Sequence, residues 1–515
     1  MSMENKKSSG LFRTAAFMTV ITLSAKVLGL LRDVLLASCY GTSSTEAIAY
    51  DVASRLPIII FDFVIGGVIT ASFIPIFNEL LVKKGKKEAL GFAGSYVSVI
   101  MFITTLLTVL GMVFAEPLVS FLAPDVTTEA GALAAGLSRV MFPMIIFTGV
   151  AFSFVGFLQS FESFLLPALI SFVSNVIMVA YLLLFNDRFG IWGVAISMLV
   201  GWGAQVLVQL PAALKKGFRF SLRLDLRSKY IKRAFIMALP ILVSSWVQPF
   251  CNLINTRYAS SIENGSAIPA MGYANRLYLI IVGVFTFVAT NLLFPYFSKT
   301  EASGDKEKNE ELTRSSVSVL LLVILPITLG IFTLSTPIVE VIYMRNNFGA
   351  DAAQMTASAL GFFALGMPFY ALNEVCIKKF FSEQKTLTPM ITAVLSIACD
   401  IGFVMLLAKR MGIAGIALSS SLAVALNAIL NYLLRLKGGD KMLRAGDFFN
   451  IFKMLLSALL MAFAVEIVKV YVPAGALGLC VSILVGAFVY FVGCLLLREK
   501  MLCGFLSGAV KRREN

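Results

Sequence analysis

The 515-residue chain contains no histidine. That absence excludes His-based metal sites, Ser-His-Asp nucleophilic chemistry and imidazole proton relays. Charge is scarce: 14% of residues are Asp, Glu, Lys or Arg, where a soluble protein would carry about 25%. No Walker-type nucleotide loop is present, so the chain is not expected to hydrolyse ATP by itself. None of the seven cysteines forms a CxxC pair, and most lie in or beside apolar runs, reading as small buried hydrophobes. The alternating segments of about 10 residues that a membrane β-barrel requires are also missing.

What fills the chain instead is hydrophobic sequence: 58% of residues, with a mean hydropathy of +0.88. Apolar runs of about 20 residues, long enough to span a bilayer, recur along its length. The expected fold is an all-α polytopic membrane protein of fourteen transmembrane helices. These lie at roughly 15–40, 46–79, 91–122, 131–156, 166–185, 191–213, 235–258, 268–298, 315–344, 353–377, 387–408, 412–434, 450–468 and 474–497. The polar start with Lys6, Lys7 and Arg13 leads into an apolar run longer than a signal peptide, read as a retained first helix. The net charge of +14 raises the question of nucleic acid, but its distribution points to membrane lipids. With the N-terminus inside, cytoplasmic segments hold 31 of the 43 Lys and Arg. That bias places both termini in the cytoplasm.

Two stretches repeat at a near-constant offset. Gly190-Ile191-Trp192-Gly193-Val194-Ala195-Ile196-Ser197 matches Gly412-Ile413-Ala414-Gly415-Ile416-Ala417-Leu418-Ser419, and Pro167 and Pro389 precede them by the same 23 residues. Phe73-Ile74-Pro75 echoes Leu293-Phe294-Pro295, and Arg55-Leu56 echoes Arg276-Leu277, all at offsets of 220–222. Four markers in chain order mean a duplicated unit. The expected organisation is an N-terminal six-helix lobe (1–213), a basic cytoplasmic linker (214–234), a C-terminal six-helix lobe (235–436) and two extra helices with a cytoplasmic tail (437–515). An even number of spans per repeat makes the repeats parallel, as in two-lobed transporters.

Charges inside spans require a reason, since each costs at least about 2.5–3.5 kcal/mol at the bilayer centre. The first span carries Lys26, Arg32 and Asp33; the second carries Asp51, Arg55 and Asp62; the eighth carries Arg276. Asp51–Arg55, spaced i,i+4, and Arg32–Asp33 read as supporting ion pairs. The spans of Lys26 and Arg276 supply no nearby carboxylate of their own to explain them. Lys26, Arg32, Arg55 and Arg276 together read as an anion cavity, and the arginine fork suits phosphate oxygens. In the C-terminal repeat the intramembrane charges are mostly acidic: Glu340, Glu374 and Asp400. Asp400 with Ser420 reads either as a site for a monovalent cation such as Na⁺ or as a carboxylate bonded to hydroxyls of a neighbouring helix. Glu374 is expected to pair with Lys378 and Lys379.

The motifs Gly29-Leu30-Leu31-Arg32-Asp33, Tyr40-Gly41, Arg55-Leu56-Pro57, Gly66-Gly67, Ser72-Phe73-Ile74-Pro75, Tyr273-Ala274-Asn275-Arg276-Leu277, Pro368-Phe369-Tyr370-Ala371-Leu372 and Thr388-Pro389 stand in an order and spacing that resembles the MurJ (MviN) lipid II flippases. The resemblance runs over nearly the whole chain. It implies the MOP exporter superfamily, a cavity between two six-helix lobes, and a groove for the polyprenyl tail on the last two helices. The family's first-helix cations look like Lys26 and Arg32, and its eighth-helix arginine like Arg276. Many members have Arg-Arg where this chain has Phe61-Asp62, and Glu where it has Gly66. Some have an acidic residue of a sodium site on helix seven, where this chain offers Asn252 and Asn255.

The expected function is therefore a flippase, not an enzyme. It moves undecaprenyl-pyrophosphate-linked peptidoglycan precursor, lipid II, from the inner to the outer leaflet of the bacterial cytoplasmic membrane by alternating access. A flippase for another polyprenyl-linked oligosaccharide is the alternative, and a cation-coupled multidrug exporter is a third. No cofactor is expected beyond Na⁺ as a candidate coupling ion. The chain is expected to act as a monomer, with cell-wall synthesis proteins as candidate partners.

Overall fold

The computed structural model describes residues 2–65, 68–220, 228–288, 306–383, 387–440 and 442–503, with isolated positions at 293, 296–297, 299–300 and 385. Side chains of the first helix are described from Val20 onward. Gly66-Gly67 and the Phe294-Pro295 half of one repeat marker lie outside the described residues. Contacts divide the chain into two compact units, Met1–Pro269 and Ala270–Asn515.

The first unit is helical from its start. Helix α1 (Ser2–Tyr40) is followed by α2 (Thr45–Val64) and α3 (Val68–Lys83), then α4 (Lys86–Val113) and α5 (Ala115–Leu122). Next come α6 (Thr128–Met141), α7 (Met144–Ser160), α8 (Leu165–Leu184), α9 (Asn186–Lys215), α10 (Lys229–Ser245) and α11 (Val247–Ser260). Ser44 and Thr127 start α2 and α6 by accepting from the backbone N–H three residues on, at 3.0 and 3.2 Å. Each cap supplies a partner to one of the orphan donors of a first turn. Phe73 and Phe77, both fully buried, stack at 5.3 Å, and Phe218 packs edge-on against Phe154 at 5.1 Å and Phe157 at 5.5 Å. The aromatic cluster thereby pins the start of the linker to the bundle. The basic ends of α3 and α10 meet around Glu79, which takes Lys83 at 3.1 Å and Arg233 at 2.8 Å.

Helix α12 (Ala267–Val288) begins at the unit boundary. The second unit continues with α13 (Lys306–Tyr343), α14 (Ala350–Ala364), α15 (Met367–Ser382), α16 (Leu387–Lys437), α17 (Ala445–Tyr471) and α18 (Ala476–Leu496). Tyr273 of α12 packs against Tyr343 at 5.1 Å and Phe348 at 5.8 Å. Tyr490 of α18 donates to Leu322 O at 2.8 Å, and Lys469 of α17 to Thr333 O at 2.9 Å, so the two added helices are tied to α13.

The chain is thus an all-helical, multi-pass membrane protein. Eight of its described helices are long and apolar enough to cross a bilayer, or ten if each bent pair is one span. The expected count of fourteen is not reached among the described residues. Helices α10 and α11 are each too short to qualify alone, and α2, though 20 residues long, carries Asp51, Arg55 and Asp62. In addition, α16, 51 residues long, carries two expected spans in one element.

The breaks have identifiable causes. Between α6 and α7 the axis bends by 40° at Pro143, and Thr108 of α4 donates to Phe142 O at 3.2 Å. Between α14 and α15 it bends by 42° just before Pro368, and Ser421 of α16 donates to Phe362 O at 2.7 Å. Proline removes a helix hydrogen bond, and a neighbouring hydroxyl satisfies a carbonyl at each break. The duplicated motif has a backbone meaning as well. Gly190 (φ 55°, ψ −147°) and Gly412 (φ 58°, ψ −134°) share one left-handed conformation that only glycine adopts without strain. Three residues on, a Cβ on Gly193 would lie 2.0 Å from Tyr181 Oη, and one on Gly415 would lie 2.2 Å from Leu407 O. The first glycine makes the turn and the second lets the returning helix approach.

The seventh expected span, α10 with α11, packs within the first unit. Trp246 donates to Phe63 O at 2.7 Å, and Phe63 packs edge-on against Phe250 at 4.8 Å. The contact boundary at 269/270 therefore falls one span later than the repeat boundary before residue 235.

Candidate functional site

In the first unit, Lys26 is exposed on α1, while Arg32 is half-buried and Asp33 buried. Arg32 Nε and Nη2 both donate to Asp33 Oδ1, at 2.9 and 2.7 Å. Its Nη1 donates to Asn175 Oδ1 of α8 at 3.1 Å, and Asn175 Nδ2 donates to Ala25 O at 3.1 Å. Neighbouring residues on a helix diverge by about 100°, so it is the long arginine arm that folds back to reach the aspartate. Gly29 lies between the two α1 anchor points; a Cβ there would sit 3.3 Å from Asn175 Nδ2. The glycine lets α8 come close, and the amide then fixes the guanidinium.

On α2, Arg55 Nε donates to Asp51 Oδ2 at 2.6 Å. Its Nη1 reaches Thr256 Oγ1 of α11 at 3.2 Å and its Nη2 reaches Ile268 O at 3.2 Å. Arg55 thus bridges the second span, the seventh span and the start of α12. Near the end of α11, Arg257 donates to Phe121 O of α5 and stands over the Phe121 ring at 5.3 Å. Asp33 and Asp51 reduce the net charge that the two arginines bring into the membrane. A removed carboxylate would leave a cation uncompensated, which is costlier than never having had the pair. Arg32 and Arg55 each sit in a hydrogen-bond set of their own. Arg276 is exposed on α12, in the second unit.

Asp400 is buried in α16 at 2% exposure, and Ser420 is half-buried on the same element beyond Gly412. Towards the other ends of the two arms of α16, away from Gly412, lies an amide cluster that sequence reasoning did not single out. Asn431 Oδ1 accepts from Thr392 at 2.9 Å, and Asn431 Nδ2 donates to Asn373 Oδ1 at 2.9 Å and to Asn427 Oδ1 at 3.1 Å. The signal available was three asparagines in otherwise apolar spans.

At the end of α15 the two lysines diverge. Lys378 faces Glu374 at 3.9 Å, whereas Lys379, only 2% exposed, turns to Asp440 at 3.5 Å. Arg435 pairs with Asp440, donates from Nη1 to Glu383 Oε2 at 2.8 Å, and lies over the Phe380 ring at 4.6 Å. Lys385 meets Glu383 at 3.0 Å. Burial by itself pushes the Glu383 carboxyl up, but the hydrogen bonds from Arg435 and Lys385 outweigh it and hold it below its ordinary value.

These arrangements can be set beside known proteins. The family model described as Lipid II flippase MurJ matches residues 36–486. A Burkholderia cenocepacia protein named Lipid II flippase MurJ is 27% identical over 439 residues, covering 83% of this chain and 84% of that protein. A Bdellovibrio bacteriovorus protein, named a probable lipid II flippase MurJ, is 28% identical over 424 residues, covering 81% and 80%. Among solved structures, one titled Lipid II flippase MurJ, inward closed conformation, superposes with a TM-score of 0.80 at 22% identity, over 94% of this chain and 99% of that one. A multidrug resistance MATE family transporter of the MOP superfamily superposes with a TM-score of 0.66 at 14% identity, over 82% and 98%.

Proposed function

The chain belongs to the lipid II flippase MurJ family, and on that footing we propose that it carries lipid II from the inner to the outer leaflet by alternating access, without making or breaking a covalent bond. Lys26, Arg32, Arg55 and Arg276 are the cations we assign to the pyrophosphate. The observation that carries this reading is Arg32: an arginine on α1, oriented by Asp33 on one edge and Asn175 on the other. A guanidinium held in place loses less freedom when it meets a phosphate, and such charge-assisted contacts contribute about 1.5–3 kcal/mol each.

The carboxylates have a second use. While the site is empty, Asp33 and Asp51 satisfy the arginines; when a diphosphate enters, each guanidinium exchanges part of a carboxylate partnership for phosphate oxygens. The charge inside the membrane then stays partly compensated at every stage.

Transport runs on the membrane potential. A pyrophosphate lipid carries about two negative charges, and the cell interior is negative. Outward movement is therefore downhill by about 2.3 kcal/mol per charge per 100 mV. The same field assists the return of an empty cationic site. The distribution of Lys and Arg supports both termini lying in the cytoplasm. The chain works as a monomer with no cofactor, and Asp400 and Ser420 serve the fold rather than an obligatory Na⁺ site.

The direct experiment is depletion in cells that lack other flippases, with lipid II accessibility measured at the outer face. The family function predicts accumulation on the inner face, restored by this chain and not by its Arg32→Ala variant.

A further inference from the structure

Asp62 lies on α2, two turns beyond Arg55, and its surroundings are unlike those of the other intramembrane charges. It is half-buried in the wall of a cavity of 310 Å³ inside the first unit, bounded by α2, α3, α7 and α9. Among the described residues it has no hydrogen-bond or ion-pair partner. Every other side chain on this wall is apolar or aromatic except Thr148, whose hydroxyl donates to Met144 O at 2.7 Å. Three aromatic residues contribute: Phe61 and Phe152, stacked with centroids 6.2 Å apart, and Trp202.

A partnerless carboxylate at membrane depth costs at least about 2.5–3.5 kcal/mol, so it is retained against a penalty. The chemistry of the wall narrows what could offset that penalty. The two oxygen-bearing side chains, Asp62 and Thr148, present acceptors, and among the described residues no cation lines the space, so an anion would meet the repulsion of the carboxylate. A bare Na⁺ requires several converging oxygens, and two oxygen-bearing side chains in an apolar space of 310 Å³ do not supply them. A neutral ligand would leave the carboxylate unmatched. A monovalent organic cation with an apolar body matches every part: its charge meets Asp62, its body fills the apolar wall, and its charged end can lie against an aromatic face. The volume is at the small end of the range for ligand pockets, about 300–1,000 Å³. We infer that the first unit binds a small lipophilic organic cation, an aromatic or alkyl ammonium, in this cavity, with Asp62 as its counter-ion. The inference goes beyond lipid II transport and does not rest on it.

The test uses the full-length protein in a neutral maltoside detergent and radiolabelled benzyltrimethylammonium in equilibrium dialysis. Saturable binding with one site per chain is expected. Neopentylbenzene, the uncharged carbon isostere, should compete at least tenfold more weakly than unlabelled cation. Asp62→Asn should weaken binding at least tenfold. Ile58→Trp, at an exposed position on the cavity wall, keeps the carboxylate but fills space and should also abolish binding. It keeps the idea testable if the Asp62 variant does not fold. Equal competition by the uncharged isostere, unchanged affinity in Asp62→Asn, or no saturable binding by the wild type would each overturn the proposal.

Discussion

Arg32 and Asn175 are joined across α1 and α8 by a hydrogen bond of 3.1 Å, 143 residues apart in sequence. The same amide donates to Ala25 O, one turn before Gly29. Asn175 is thus a positioning residue for the cation. Replacing it with the similarly sized Leu removes a hydrogen bond to a charged group, about 1.5–3 kcal/mol, so flipping should slow by about tenfold or more while protein level is maintained. Wild-type lipid II exposure in Asn175→Leu cells would remove the amide from the mechanism.

Arg32→Ala and Arg276→Ala should abolish complementation with near-normal protein levels. Arg55→Ala should behave differently. Its guanidinium also ties α2 to Thr256 and Ile268 O, so thermal stability in detergent should fall together with transport. If both Arg32→Ala and Arg276→Ala complement fully, the anion site is wrong. If Arg55→Ala melts like the wild type, its bridging role is.

Collapsing the membrane potential should stop flipping, whereas withdrawing Na⁺ or introducing Asp400→Asn should slow it only modestly. The measurement is outer-face lipid II at controlled potential. A complete block by both Na⁺ withdrawal and Asp400→Asn would instead make the acidic second unit a coupling site.

The hairpin glycines should separate by mechanism. Gly412→Ala forces a side chain into positive-φ backbone that is nearly confined to glycine, which costs about 1–3 kcal/mol, and should lower the melting temperature by a few degrees. Gly415→Ala places a Cβ 2.2 Å from a backbone carbonyl that cannot move aside, and should yield little folded protein. Size-exclusion profiles and thermal melts of the pair check both, and equal behaviour would contradict the division of labour between turn and close approach.

Glu383 links stability to pH. Its carboxyl is held below the ordinary value of 4.5, because its bonds to Arg435 and Lys385 outweigh its burial. Its contribution is therefore present above the unfolded value and is lost as pH falls through the folded one. Glu383→Gln should melt lower than wild type at neutral pH, and the gap should narrow on acidification. A gap that does not change with pH would show that the ion cluster contributes nothing.

The sequence by itself determined that the chain is a helical membrane protein and to which family it belongs. These are legible because hydropathy, proline and glycine act locally: a run of apolar residues is driven into lipid wherever it occurs, and Gly190 and Gly412 make their turns from their own backbone freedom. Near-neighbour ion pairs were readable for the same reason, as Asp51–Arg55 and Glu374–Lys378 show. Lys379 was not, because one residue further round the helix it meets Asp440 instead. Tertiary structure alone decided that Arg32 is held by Asn175, that Arg55 bridges to α11, that the seventh span packs in the first unit, and that Asp62 opens onto a cavity. Those outcomes depend on distances between helices remote in the chain, and a sequence pattern fixes which face of a helix is polar but not which helix that face will meet.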